Sequence, residues 1–263
     1  MILEDITAKV YIRLAEDMKK VSYEEIKNRA VAMEKHNKPS FKKAIRQRDI
    51  SFICEVKKGS PSKGIIAEAF PYKQIACDYE EAGAAAVSVL TERDFFFGSL
   101  EYLREIAAAV SVPVLRKDFI VEAYQIYEAK VAGAAAVLLL CALLPDEELK
   151  EFIDLAKSLG MDALVEAHNT EEIRRALAAG ADIIGVNNRN LKDFSVSFET
   201  SLNLRKSVPF NVVFVAESGI HTAEEIERLI VYFIVGIVGR REENTFMFSA
   251  FGSYGHTLRA TRT

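Results

Sequence analysis

The chain has 263 residues, half of them hydrophobic and 27% charged, with a formal net charge of −4. A large buried core is therefore possible, and wholesale disorder is excluded. The slight negative charge gives no electrostatic reason for nucleic acid or an anionic membrane as partner, so an anionic ligand must be met by a local positive cluster.

The opening stretch MILEDITAKVYIRLAEDMKK is too acidic and too amphipathic for a signal peptide. Its apolar positions Ile2, Ile6, Val10, Leu14 and Met18 recur every four residues, a helical stripe. Ser22, with Glu25 three residues on, marks the start of a second helix, and Pro39–Ser40 precede a third short one. Residues 1–45 contain no strand pattern and read as a helical extension packed on the remainder of the chain.

From Ile50 onward strand and helix signals alternate, with strands near 50–57, 85–92, 112–119, 135–141, 162–168, 182–188, 212–218 and 232–239. Each is a nearly continuous apolar run, as expected of parallel strands buried on both faces. Gly83, Gly133 and Gly180 each fall just past a helical pattern, where a left-handed C-cap is expected. Eight strands with no sheet-edge signal favour closure over an open doubly wound sheet. The expected fold is α/β, a (β/α)8 TIM barrel, for which about 250 residues is typical.

The longest apolar run, Val131 to Leu144, is shorter than the ~20 residues of a membrane helix and stops at Pro145. Cys54, Cys77 and Cys141 have neither paired nor metal-ligand spacing and read as reduced cysteines of a cytosolic protein. The four histidines show no HxH or HExxH spacing, so a histidine-rich metal site is not expected. A soluble cytoplasmic protein is the resulting expectation.

Several predicted strands end in ionisable or polar groups: Glu55 and Lys57, Lys117 and Asp118, Glu166, Asn187 and Arg189, Glu217 and Ser218. In a barrel those ends share one mouth, where catalytic groups gather. Alternation along a strand puts Glu55 and Lys57 on the same face and Cys54 on the other. The loop KGSPSKG (58–64) comes directly after and adds further lysines. Burial at a strand end is expected to lower the Lys117 pKa and fit it for proton donation near neutrality. Glu166 is placed as base or counter-charge; His168 shares its parity and could line the mouth, but reads as a loop residue because Asn169–Thr170 begin a turn. Ser218–Gly219–Ile220 before HTAEEIERL reads as a glycine turn opening a helix, where exposed N–H groups suit a phosphate.

The segments EVKKGSPSKG, SVLTERDFFFGSLEYL, PVLRKDFIV, LVEAHN, IGVNNRNL and VAESGI, in this order, resemble the indole-3-glycerol-phosphate synthase family of tryptophan biosynthesis. The resemblance runs from MILEDI to about Leu229. It implies a barrel with an N-terminal helical extension and no metal or organic cofactor. The implied substrate is 1-(2-carboxyphenylamino)-1-deoxyribulose 5-phosphate, which loses carbon dioxide and water to become indole-3-glycerol phosphate. Lys117 matches the family's principal general acid and Glu166 the base or charge stabiliser. Lys57 matches a lysine that engages the substrate's anionic groups or acts as acid in dehydration. Glu55, Asn187, Arg189, Glu217 and Ser218 match residues that orient these groups and the substrate. Ser60 matches a loop serine, Gly219 a backbone phosphate contact, and Phe96 or Phe97 an apolar wall against the anthranilate ring. A monomer or weak homo-oligomer acting on a phosphorylated small molecule is the implied state.

The end of the chain departs from the family pattern. After Leu229 the expected glycine turn, strand eight and G-[ES]-S-L-M-like segment are replaced by IVYFIVGIVGRREENTFMFSAFGSYGHTLRATRT. Gly236 or Gly239 stand where a phosphate-binding glycine is sought, with Arg240 or Arg241 as alternatives. The expected organisation is one domain over 1–263, with an atypical strand-eight region and tail over 230–263. A change of reading frame near residue 230 also accounts for the departure. It leads to the expectation of weakened substrate binding, or an impaired barrel, with the acid and base residues intact. Phosphoribosylanthranilate isomerase, a neighbouring barrel family that relies on a cysteine and an aspartate, is the lesser alternative.

Overall fold

In a computed structural model, residues 2–34, 39–46, 50–66, 68–190, 195–197, 199–219 and 244–248 are described. Eight parallel strands close a barrel: β1 (Ile50–Val56), β2 (Ala86–Leu90), β3 (Val114–Lys117), β4 (Ala136–Leu140), β5 (Asp162–Ala167), β6 (Ile183–Asn187), β7 (Val213–Glu217) and β8 (Asn244–Phe248). Consecutive strands are hydrogen-bonded neighbours, and β8 pairs with both β7 and β1. The strand expected near 232–239 lies outside the described residues, and the eighth place is taken by Asn244–Phe248 instead. The apolar run at 232–239 gave the stronger strand signal; which segment closes the sheet depends on pairing with β7 and β1, a non-local condition.

The helical extension consists of α1 (Ile2–Lys20), α2 (Tyr23–Ala32) and α3 (Phe41–Ile45). The stripe read from the sequence is the packed face of α1, with Ile6, Val10 and Leu14 buried. Ser22 caps α2 by accepting from the Glu25 N–H at 3.2 Å, and Ser40 caps α3 by accepting from Lys43 N–H at 3.2 Å. The barrel helices are α4 (Tyr72–Glu81), α5 (Leu100–Ala109), α6 (Ala123–Val131), α7 (Asp146–Ser158), α8 (Thr170–Ala178) and α9 (Glu199–Leu204). Gly83, Gly133 and Gly180 have φ of 93°, 91° and 85°, the left-handed conformation expected after helices α4, α6 and α8.

Strand alternation sorts the core into two layers. Val87, Val114, Leu139, Val165 and Phe214 face outward and pack with the helices. Ile53, Leu115, Leu138, Leu164, Ile183 and Val215 face inward and fill the barrel with side chains. Short α3 plugs the amino-terminal end of this inner layer, where Phe41 and Ile45 are wholly buried. Its Lys42 N–H donates to Asp162 Oδ2 at 2.9 Å, and Lys42 Nζ pairs with Asp182 at 3.0 Å, tying the plug to the starts of β5 and β6. Among the described residues no helix is long and apolar enough to cross a membrane.

The inner layer carries the site above it, because the residue two positions beyond Ile53, Leu115, Leu164 or Val215 points the same way. Those residues are Glu55, Lys117, Glu166 and Glu217. The plug lies at the opposite end. Phe41→Ala is therefore expected to lower stability by about 3–5 kcal/mol, read as a fall in the urea midpoint, with the Michaelis constant unchanged.

Candidate active site

Three strands bring a lysine and two carboxylates together at the carboxyl end of the barrel. Lys117 Nζ lies 3.2 Å from Glu217 Oε2 and 3.3 Å from Glu55 Oε2. Glu55 also receives Lys57 Nζ on its other oxygen at 2.6 Å, so one carboxylate bridges two ammonium groups. Glu55 and Lys57 reach each other because they are two residues apart at the end of β1. Side-chain exposure falls from 17% at both lysines to 6% at Glu55 and 0% at Glu217, so the lysines are the groups that reach the mouth.

Glu217 owes its place to a missing side chain. Its neighbour across the sheet, Gly185 of β6, has no Cβ, and a Cβ there would collide with Glu217 Oε1. Among the described residues that buried oxygen has no hydrogen-bond partner. Burial raises the Glu217 pKa; the Lys117 ammonium lowers it, and Glu166 and Glu55 raise it further, to about 7. Glu217 thus stands ready to hold or release a proton near neutrality.

Lys117 behaves opposite to the expectation from burial. Desolvation alone lowers an ammonium pKa, but Glu217, Glu55 and Glu166 all stabilise the charged form and raise it above the ordinary lysine value. The partners come from β1, β5 and β7, far apart in sequence. Lys117 is a fixed cation and hydrogen-bond donor, and it transfers its proton only to a strong base such as a developing alkoxide.

Across the mouth, Glu166 Oε1 accepts a hydrogen bond from Asn187 Nδ2 at 3.0 Å. The Asn187 amide orientation is fixed, because its Oδ1 accepts the Arg189 N–H at 3.0 Å. His168 is not a bystander in a loop. Its Nε2 lies 3.2 Å from Glu166 Oε1, as an ion contact rather than an aligned hydrogen bond, and its Nδ1 lies 3.1 Å from Glu172 Oε2. Burial lowers the His168 pKa, but the two carboxylates dominate and raise it to about 10. Glu166 is lowered in turn: burial raises it, while His168, Lys117 and Asn187 favour its ionised form.

The remaining candidates lie on loops around this centre. Ser60 is buried in a two-residue ribbon pairing Gly59–Ser60 with Gly64–Ile65, its Oγ 3.4 Å from Ser62 Oγ. Phe96 is half-buried, with its ring centroid 6.0 Å from that of Phe119, just beyond β3. Phe97 instead packs over Gly59, where a Cβ would strike its ring. Ser218 and Gly219 have φ of 66° and 71°, and the Ser218 carbonyl accepts from Asn188 Nδ2 at 3.0 Å. This left-handed pair turns the chain sharply after β7; the helix expected beyond it lies outside the described residues. Gly236, Gly239, Arg240 and Arg241 also lie outside them. Among the described residues no three His, Cys, Asp or Glu side chains are grouped to hold a metal ion.

The chain matches the family model described as indole-3-glycerol phosphate synthase over residues 3–241, beyond the Leu229 to which the resemblance runs. Its similarity to the indole-3-glycerol phosphate synthase of Endomicrobium trichonymphae is 55% identity over 229 residues, covering 87% of this chain and 89% of that one. The chain belongs to the indole-3-glycerol phosphate synthase family. The synthase of that name from Ruminiclostridium cellulolyticum is 51% identical, with 87% and 88% covered. Solved structures share the barrel at low identity. An N-acetylmannosamine-6-phosphate 2-epimerase from Clostridium perfringens superposes with TM-score 0.59 at 15% identity, covering 88% and 99% of the two chains. A thiamine phosphate pyrophosphorylase from Pyrococcus furiosus gives 0.57 at 15%, covering 81% and 94%.

Family membership leaves the isomerase alternative without support at Cys54, which is buried on the opposite parity from Glu55, with burial pushing its thiol up to about 12. Two residues of the candidate site are not marked by the sequence reading. Glu92, wholly buried after β2, accepts the N–H groups of Asp94, Phe95 and Phe96 and pairs with Arg13 of α1 at 2.6 Å. It shapes the Phe96 loop and fastens the helical extension to it. Its place at the end of β2 was a usable signal. Gly185 is the other, and nothing local in its sequence marks it.

Gly185→Ala is expected to push Glu217 away from Lys117 and lower kcat at least tenfold, an order of magnitude consistent with losing one charge-assisted contact. Circular dichroism should remain native. The His168 pKa rises from 6.5 to about 10 on folding, so its stabilising contribution is full below pH 6.5 and is lost as pH rises through about 10. His168→Ala should accordingly cost stability at acidic to neutral pH and little above about pH 10, which urea titrations at a series of pH values check.

Proposed function

We propose that the protein is an indole-3-glycerol-phosphate synthase, a carbon–carbon lyase of the carboxy-lyase type, with its catalytic groups gathered around Lys117. The observation that carries this reading is the lysine held by Glu55 and Glu217 opposite a separately anchored Glu166. The substrate is 1-(2-carboxyphenylamino)-1-deoxyribulose 5-phosphate. Its carboxylate is drawn to the two lysines at the mouth, and Phe96 with Phe119 lines an apolar place for the ring.

In the first step the ring carbon bearing the carboxylate attacks the ketone carbon. As that bond forms, the ketone oxygen becomes an alkoxide-like acceptor, basic enough to take a proton from Lys117 despite its raised pKa. The carboxylate then leaves as carbon dioxide, returning its bonding electrons to the ring. The new hydroxyl leaves as water with a proton from Lys57. Glu166 takes the proton from the neighbouring ring carbon, closing the indole double bond, and in the steps before stabilises positive charge on the nitrogen. Glu217 and Glu55 keep the lysines charged and oriented. Ser60, Arg189, Ser218 and Gly219 position the substrate, with the phosphate at the Ser218–Gly219 turn and at Gly236 or Gly239. No metal or organic cofactor takes part. The protein acts in the cytoplasm, as one domain, as a monomer or weak homo-oligomer.

The chain contains no tryptophan, so indole fluorescence from product stands clear of the protein's own emission. Wild-type protein mixed with the substrate is expected to give a catalytic rise. Lys117→Ala should reduce kcat by about 10²–10⁴-fold, the range for loss of a general acid. Bound substrate without product, from folded wild-type protein, would overturn this reading and favour an impaired barrel.

A further inference from the structure

We propose that His168, braced by Glu172, is a positioning residue that holds the Glu166 carboxylate in its working orientation and charge state. The inference rests on the role of Glu166 as base in the proposed reaction. The first turn of helix α8 fixes Glu172 firmly. Asn169 caps the helix by accepting the Glu172 N–H at 2.9 Å, and its Nδ2 donates to Glu172 Oε1 at 2.8 Å. The other oxygen, Oε2, accepts the His168 backbone N–H at 2.8 Å and faces the ring Nδ1 at 3.1 Å. The imidazole is thus held at both its backbone and its ring before it meets Glu166.

Its second ring nitrogen lies 3.2 Å from Glu166 Oε1, the same oxygen that accepts from Asn187 Nδ2. Two groups from different strand ends converge on one oxygen of the carboxylate. A carboxylate held this way loses rotational freedom and presents one lone-pair set, which is what a general base needs. A helix-capping role alone explains Glu172 and Asn169; it does not explain why the ring turns its far nitrogen toward a buried carboxylate. His168 also borders a cleft of about 880 Å³, bounded by Thr7 and Tyr11 of α1, Leu143, Asn187 and Thr200. The brace is therefore within reach of solvent, while Glu166 itself is buried.

The charged groups facing Glu166 are Lys117 from β3, Glu217 from β7 and His168, with Glu172 of α8 and the Cys141 thiol after β4 close behind. Lys117 and His168 favour its ionised form; Glu217 opposes it. Removing His168 takes away one of the two cations, so Glu166 must protonate at higher pH. The acid limb of the kcat profile then moves upward.

The test measures kcat and KM against pH for wild type, His168→Ala, His168→Gln and Glu172→Gln. For His168→Ala the expected result is a kcat about tenfold lower, KM within about twofold, and an acid limb moved up by about one pH unit, the scale of losing a nearby opposite charge. His168→Gln keeps a donor without the charge; it should recover part of kcat but none of the limb shift. Glu172→Gln, with the ring retained but unbraced, should shift in the same direction by less. Superimposable acid limbs for wild type and all three variants would overturn the proposal, as would a rise in KM at unchanged kcat. Absence of turnover by the wild-type protein is a different result, and it would overturn the functional reading instead.

Discussion

The structure depends on one electrostatic constraint: a buried lysine ammonium must be compensated, and three carboxylates from separate strands compensate it. Lys117 on β3 meets Glu55 of β1 and Glu217 of β7 at salt-bridge distance, with the charge of Glu166 on β5 added across the mouth. Removing one carboxylate would leave a buried charge partly unpaired, which costs far more than the net worth of a surface pair. The barrel meets the constraint by placing all four side chains at one height, one layer above Ile53, Leu115, Leu164 and Val215. The packed inner layer is what keeps that height fixed.

Glu217, wholly buried in the notch at Gly185, is pushed up to about 7 by burial first and by Glu166 and Glu55 after it, against the lowering by Lys117. Glu166 moves the other way, because His168 and Asn187 are added to its side of the mouth. Two carboxyls at the ends of strands in one sheet are thereby driven apart in proton affinity by their surroundings. The helical extension joins the same system through Arg13, since Glu92 binds it while shaping the loop that carries Phe96.

Much of this was legible in the sequence because it stems from local rules. Alternation put Glu55 and Lys57 on one face, glycines after helices announced left-handed turns, and Ser22 and Ser40 announced helix starts. What was not legible depends on approaches between strands. The direction of the Lys117 shift was misjudged because burial is visible from one strand, whereas its three counter-charges lie on others. His168 reads as a loop residue because Asn169–Thr170 begin a turn, yet it keeps the parity of β5 and so still reaches Glu166. Gly185 matters only through Glu217, on the adjacent strand. The apolar pattern at 232–239 points to the eighth strand, but its place is filled by Asn244–Phe248, which pairs in register with β1.

The ionisation of Lys117 is the most direct test of this picture. Protein labelled with ¹⁵N at lysine side chains, with the Lys117→Arg variant to assign the signal, allows the Nζ resonance to be followed as pH rises. An ammonium that persists beyond 10.5, the ordinary lysine value, is the expected result, because its carboxylate partners hold the charge. Deprotonation below that value would show that burial outweighs the carboxylates, and would contradict the account of how this site is built.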